Sequence, residues 1–260
     1  MAKIDACPVD IVIPSRGRPG NVARMMQMLP TARFYVDERE ADEYNAVAPP
    51  EKLVFHKPTE TSVEFRRMLA ADDRFGDLLC TVDDDLEAVV SVVGLHPRRI
   101  TDPGSITQII INTALIARDI GAPLFGWGSQ QNSGAFLAND PIRLAGSVGG
   151  AWGHTLPVGE RITPDARLSG RAAADSVLQA LLKHRLVYID SRFVWEFGPS
   201  AHTGEGATAM RKRKSMARDD DMLKSKWGRY YGGLGRKSLK QGGGEIPINV
   251  PRRSEFVSDA

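Results

Sequence analysis

The sequence predicts an α/β fold with a mostly parallel, doubly wound sheet flanked by helices. Three observations predict it. The first 85 residues alternate short β-branched runs with amphipathic stretches, the pattern of strand–helix–strand units. Each run ends in a polar cluster: Ser15-Arg16, then Asp37-Glu38, then Asp83-Asp84-Asp85. The chain has 260 residues, 42% of them hydrophobic, enough for one large domain with a buried core.

The elements follow in order. Val9 to Pro14 is β-branched and ended by proline, a first strand. After the loop Ser15 to Gly20, Asn21 is placed to cap a helix from Val22 to Leu29, whose Val22, Met25, Met26 and Leu29 share a face. Ala32 to Val36 is the second strand, Arg39 to Asn45 a helix and Lys52 to Phe55 the third strand. Thr61 or Ser62 opens a helix running to Ala71, and Asp77 to Val82 is the fourth strand. Glu87 to Val93 fits strand or helix. Asp102-Pro103 starts a helix from Ile106 to Ile120, stopped by Gly121 and Pro123. Leu124 to Gly128 is a strand. Residues 128–170, rich in Gly, Ser, Asn and Pro, read as long loops over a site. Ala172 to His184 is a helix with Ala173, Val177, Ala180 and Leu181 as its apolar stripe; strands follow at Leu186 to Ile189 and Arg192 to Phe197.

Composition narrows the class. The two cysteines, Cys7 and Cys80, have no metal-ligand spacing and suit a reducing compartment. No apolar run approaches the roughly 20 residues that span a bilayer, and no basic-then-apolar leader opens the chain. The expectation is a cytoplasmic protein with no membrane partner. Net charge is only +2, but it is unevenly spread. From Ala207 to Gly244 the acids are Asp219, Asp220 and Asp221, against Arg211-Lys212-Arg213-Lys214 and further basic residues, with Trp227, Tyr230 and Tyr231 interleaved. The division expected is a domain over 1–205, with halves 1–90 and 91–205, and a basic arm and tail over 206–260.

The acid triplet is the sharpest local signal. A buried strand has no use for three consecutive carboxylates, which repel unless solvent or a cation screens them. In open α/β sheets ligands sit beyond the carboxyl ends of strands. In an extended chain Asp83 and Asp85 point the same way, and two hard oxygen ligands suit a divalent cation bound to phosphate. The alternative is an acidic helix start with Asp84 or Asp85 as cap.

Ile13-Pro14-Ser15-Arg16-Gly17-Arg18, the parallel half-sheet and Asp83-Asp84-Asp85 together resemble GT-A glycosyltransferases, most closely the phage and bacterial TET-associated branch linked to modified DNA bases. The resemblance covers roughly residues 9–205. It implies a GT-A-like, Rossmann-like fold and a Mn²⁺ or Mg²⁺ ion bridging the two phosphates of a nucleotide-sugar, most simply a UDP-sugar. It implies Asp83 and Asp85 on the metal side, joined by His202, and Asp84 nearer the sugar or structural. Pro14, Ser15, Arg16, Arg18, Asp37 and Arg66 would line the donor. Asp175, near the start of its helix, resembles the base of inverting transferases, although the family's preceding acid is replaced by Ala174. Trp152 and His154 would line the acceptor side.

The basic segment points to the acceptor. Arg211, Lys212, Arg213, Lys214, Lys226 and Trp227 combine phosphate-pairing charge with an aromatic face for an exposed base. With the resemblance, this implies transfer of a sugar to a hydroxymethylated pyrimidine in phage DNA. The alternatives are a glycosyltransferase acting on polysaccharide or protein, a sugar-nucleotide pyrophosphorylase, and a non-enzymatic nucleic-acid-binding protein on the same scaffold. A pyrophosphorylase opens with a Gly-rich phosphate loop, where this chain has Pro14 to Arg18.

Overall fold

The structure, a computed structural model, describes residues 7–94, 96–128, 141–198, 213–232 and 250, with side chains from 217 onward in the last helix. Its strands are β1 (Asp10–Ser15), β2 (Arg33–Asp37), β3 (Leu53–His56), β4 (Leu79–Val82), β5 (Leu86–Ser91), β6 (Arg98–Ile100), β7 (Leu124–Gly128), β8 (Ile142–Arg143), β9 (Ala151–His154) and β10 (Tyr188–Phe197). Its helices are α1 (Val22–Met28), α2 (Ala41–Asn45), α3 (Ser62–Ala71), α4 (Pro103–Asp119), α5 (Ala172–His184) and α6 (Arg213–Trp227). No helix among the described residues is long and apolar enough to cross a membrane.

The strands form one sheet in the order β3-β2-β1-β4-β9-β7-β10-β5-β6, with β8 also on β10. The first four strands are parallel, as the strand–helix alternation requires. The second half is mixed. β9 runs antiparallel to both β4 and β7, and β5 runs antiparallel to β10 and β6. The expectation of a mostly parallel sheet therefore holds for the amino-terminal half only.

The pleat of β1 shows how the two faces are filled. Ile11 and Ile13 face Val22, Met25, Tyr44, Ile106 and Ile110 in the cluster carried by α1, α2 and α4. Val12, between them, faces Tyr35, Leu69 and Phe75 beneath α3. Farther along that second face, Trp152, Val177, Leu181 and Ile189 pack under α5. Helix starts follow local chemistry: Thr61 and Glu64 form a reciprocal capping box on α3, and the Asp102 carboxylate accepts from Ser105 N at the start of α4. Asn21 makes no capping bond to α1.

One open reading is settled and other expectations change. The stretch after the acids, which fits strand or helix by sequence, is strand β5. The Gly-rich middle contains β9, inserted between β4 and β7. A Cβ on Gly153 would lie 2.4 Å from Leu79 O and 2.2 Å from the Phe125 ring, so only glycine lets β9 sit there. The two strands read at 186–189 and 192–197 are one irregular strand, with a register shift between Asp190 and Val194. The described part of the basic arm is a docked helix: Leu223 is fully buried against Val63, Leu168, Ala174 and Leu178. Burying one such leucine contributes about 1.5–3 kcal/mol.

Candidate functional site: an acidic turn at the sheet edge

The carboxyl ends of β1, β2 and β4 lie side by side. The acid triplet follows β4 as a tight turn rather than an extended segment, with Leu86 N donating to Asp83 O at 3.3 Å. The alternating geometry expected for Asp83 and Asp85 is therefore replaced by turn geometry, and β5 follows in place of a helix.

The turn sorts its three carboxylates. Asp84 is fully buried. Ser15 Oγ donates to its Oδ2 at 2.5 Å, and Arg18 Nη2 lies 2.5 Å from its Oδ1, an ion pair outside hydrogen-bond angles. Burial pushes the Asp84 carboxyl up to about 7, against the pull of Ser15 and Arg18. Arg18 also reaches Asp85, its Nη1 donating to Oδ2 at 3.2 Å. Asp83 and Asp85 remain partly exposed. Asp83 N donates to Gly150 O at 2.8 Å, and Gly198 N donates to Asp85 O at 2.8 Å. A Cβ on Gly150 would sit 2.9 Å from both Asp83 Oδ2 and the Phe197 ring. Gly150, Phe197 and Gly198 thus wall the acids, and the sequence alone did not single them out.

Tyr44 is another residue sequence reasoning missed. It is buried, its hydroxyl lies 2.6 Å from Ser15 Oγ, and it accepts from Arg18 N at 3.2 Å. Burial pushes its phenol up to about 12. Its only sequence signal was an aromatic on the inner face of a short helix. Arg24 Nη2 reaches Asp84 O at 3.4 Å.

The remaining predicted residues divide. Pro14 pairs in register with Tyr35 one residue before Ser15. Arg16 donates to Thr59 O at 2.8 Å, tying the first loop to the segment after β3. Asp37 ends β2 at the same edge, but both of its oxygens are occupied. Arg39 donates to both, and Thr59 N donates to Oδ2 at 3.4 Å. Arg39 holds the Asp37 carboxyl down at about 2. Arg66 lies under the sheet, its guanidinium 4.6 Å over the Trp152 ring. His154 pairs with Leu79, at the opposite end of β4 from the acids. The structure therefore does not bring His154 to the acid turn. Its ring packs edge-on to buried Trp152, and its Nδ1 has no hydrogen-bond partner among the described residues. Burial, with Arg161 and Arg66 adding to it, pushes the imidazole down to about 3.

Asp175 is fully buried and serves as a four-way acceptor. Asp165 N and Gln179 Nε2 donate to Oδ2 at 2.8 and 2.9 Å; Lys226 Nζ and Trp227 Nε1 donate to Oδ1 at 2.9 and 2.8 Å. Both oxygens of Asp175, expected as the base, are thus bonded within the protein, and Lys226 and Trp227, expected at nucleic acid, both donate to it. The acids of α6 also serve docking. Asp219 accepts from Ser169 N and Gly170 N, and Asp220 accepts from Arg171 and Tyr231. His202, Arg211 and Lys212 lie outside the described residues, as do the side chains of Arg213 and Lys214.

Among the described residues no three His, Cys, Asp or Glu side chains converge to hold a metal. Asp83 and Asp85 fit a smaller share of a hard cation's shell. Mg²⁺ and similar ions commonly take one or two carboxylates and complete the shell with phosphate oxygens and water. The fold and edge define an α/β protein with an acidic turn beyond the strand carboxyl ends, flanked by loop arginines. No protein-family model matches the chain, and a search of curated proteins finds no matching relative.

Proposed function

We propose that the chain is a divalent-cation-dependent glycosyltransferase that moves a sugar from a nucleotide-sugar, a UDP-sugar first, to a hydroxymethylated pyrimidine in DNA. The observation that carries the reading is the sorting of the acid turn. Asp84 is buried on Ser15 and Arg18, which leaves Asp83 and Asp85 at the sheet edge where ligands of α/β folds bind. Asp83 and Asp85 would hold Mn²⁺ or Mg²⁺ together with the donor diphosphate. The cation offsets the negative charge that grows on the departing nucleoside diphosphate. Arg16 lies beside the same edge and suits phosphate pairing. His202, which lies outside the described residues, would join Asp83 and Asp85 as an imidazole ligand. For the acceptor, the basic run Arg211 to Lys214 and exposed Arg218, Lys224 and Arg229 supply phosphate-pairing charge. A base within a duplex would be flipped out to react.

The test is nucleoside mass spectrometry after incubating hydroxymethylated DNA with a panel of nucleotide-sugars and Mn²⁺. A hexose or pentose increment on the modified base is expected. It should vanish in the Asp83→Asn/Asp85→Asn double variant, along with Mn²⁺-dependent UDP binding. Wild-type protein that neither adds mass nor binds UDP in a Mn²⁺-dependent way sinks the reading.

A further inference from the structure

Both oxygens of Asp175 accept hydrogen bonds within the protein, so another carboxylate is sought as proton acceptor. We propose that Glu87 is that base. The inference rests on the glycosyltransferase reading above and assigns a catalytic residue within it.

Three observations on the chain lead there. Glu87 sits at a β-bulge: Phe197 pairs with Leu86 and Glu196 with Ala88, so Glu87 has no residue opposite it. Bulges re-aim side chains and cluster beside active sites. The bulge places Glu87 one residue into β5, two residues from Asp85, so their Cα atoms are at most about 7 Å apart. Its carboxylate turns back to the acid edge. The position of a Cβ on Gly198 would be 3.0 Å from Glu87 Oε1 and 3.5 Å from Asp85 O.

Among the described residues, three carboxylates that follow the turn in the chain are engaged. Glu196 pairs with Arg99 at 2.8 Å, Asp190 with Arg192 at 2.7 Å, and Asp165 with Arg167 at 2.7 Å. Glu87 is exposed, and no hydrogen bond or ion pair joins it to another described residue. Gly149 leaves open space, whereas a Cβ on Gly150 would run into Asp83 Oδ2 and the Phe197 ring.

The step balances as a single displacement. The acceptor oxygen bonds to the anomeric carbon as the bond from that carbon to the β-phosphate oxygen breaks. The bonding pair leaves with the nucleoside diphosphate, and the hydroxyl proton passes to the Glu87 carboxylate. The anomeric configuration inverts.

The experiment uses full-length protein, Mn²⁺, UDP, and the hydroxymethylated DNA and sugar donor that the wild type turns over. Glu87→Gln should lower kcat about 10²- to 10⁴-fold, the usual share of a general base. Donor KM and Mn²⁺-dependent UDP affinity should stay within about twofold. Glu87→Asp should recover part of kcat, and NMR of the product should show inversion. A Gln variant with near-wild-type kcat overturns the assignment. So does a loss of UDP and Mn²⁺ binding that matches the loss of turnover, which would make Glu87 a cation ligand. Retained anomeric configuration overturns it as well. Because wild-type turnover is measured first, these failures are distinct from failure of the glycosyltransferase reading itself.

Discussion

Removing the Asp175 carboxylate should detach α6. Asp175→Ala deletes the acceptor for four donors: one backbone N–H, one amide, one indole and one ammonium, all at 2.8–2.9 Å. Taking away one partner of a buried ion pair costs about 3–5 kcal/mol, because the other charge is left without compensation. Lys226 keeps its 3.2 Å ion pair with Asp165 and a 26% exposed side chain that can turn toward water, both of which pull the estimate down. Trp227 Nε1 and Gln179 Nε2 cannot leave so easily, and an unsatisfied buried donor costs about 1–3 kcal/mol. These terms overlap rather than add, so we expect about 3–4 kcal/mol. At this chain length that is a fall in Tm of roughly 10 °C. Urea unfolding followed by tryptophan fluorescence reads the loss, and Trp227 emission should shift red as α6 leaves α5. A double-mutant cycle of Asp175→Asn with Lys226→Met should show coupling of about 1–3 kcal/mol. Asp175→Ala within about 0.5 kcal/mol of wild type, with turnover abolished and Trp227 emission unchanged, would refute the structural role and restore the carboxylate as a base.

Two further perturbations test the packing around the sheet. His154 is held neutral by burial, down at about 3 against an ordinary value of 6.5. A depressed imidazole binds fewer protons folded than unfolded. Its contribution is therefore whole above pH about 6.5 and lost as pH falls toward 3. At pH 5 that loss is about 2 kcal/mol. His154→Leu should flatten the Tm–pH curve between pH 6.5 and 4.5, and superimposable slopes would count against a neutral buried ring. Gly150→Ala puts a Cβ 2.9 Å from Asp83 Oδ2 and the Phe197 ring, whereas Gly149→Ala meets nothing within 4 Å. Calorimetry should find Mn²⁺-dependent UDP affinity about 10- to 100-fold weaker for the first variant and unchanged for the second; equal affinities would remove Asp83 from the binding geometry.

The parallel half of the fold was legible because its signals are local. The apolar stripe of α5 placed Ala172 to His184 from periodicity alone, and Thr61 with Glu64 marks the start of α3 through contacts three residues apart. β9 was not legible. Its four residues include Gly153, which lowers strand propensity but is required by the Phe125 ring and Leu79 O. That requirement comes from residues 28 and 74 positions away in the chain. The site divides the same way. The edge carrying Ser15, Arg18, Asp37 and the acid turn follows from strand order. The fate of Asp175 depends on Lys226 and Trp227, about fifty residues downstream, and no spacing rule connects them. The acids of the basic arm were illegible for a related reason. Asp219 to Asp221 read as charges offsetting a cationic face, whereas Asp219 and Asp220 are buried acceptors that fasten the helix.

The acid turn itself explains why a run of three carboxylates supplies two outward ones. Consecutive residues in a tight turn cannot all face water while the chain closes onto the next strand. The middle residue, Asp84, goes inward, and the fold compensates it with Ser15 and Arg18 from the loop after β1. Desolvation still dominates, since its carboxyl rises to about 7. Arg18 spans Asp84 and Asp85, so one guanidinium fixes the inner acid and orients an outer one. Tyr44 holds both Ser15 Oγ and Arg18 N. The loop after β1 therefore positions the turn after β4, and the two segments that the sequence pairs by motif act as one physical unit. Substituting Arg18 would disturb the inner acid, Asp84, and through its direct 3.2 Å bond the outer acid Asp85 as well.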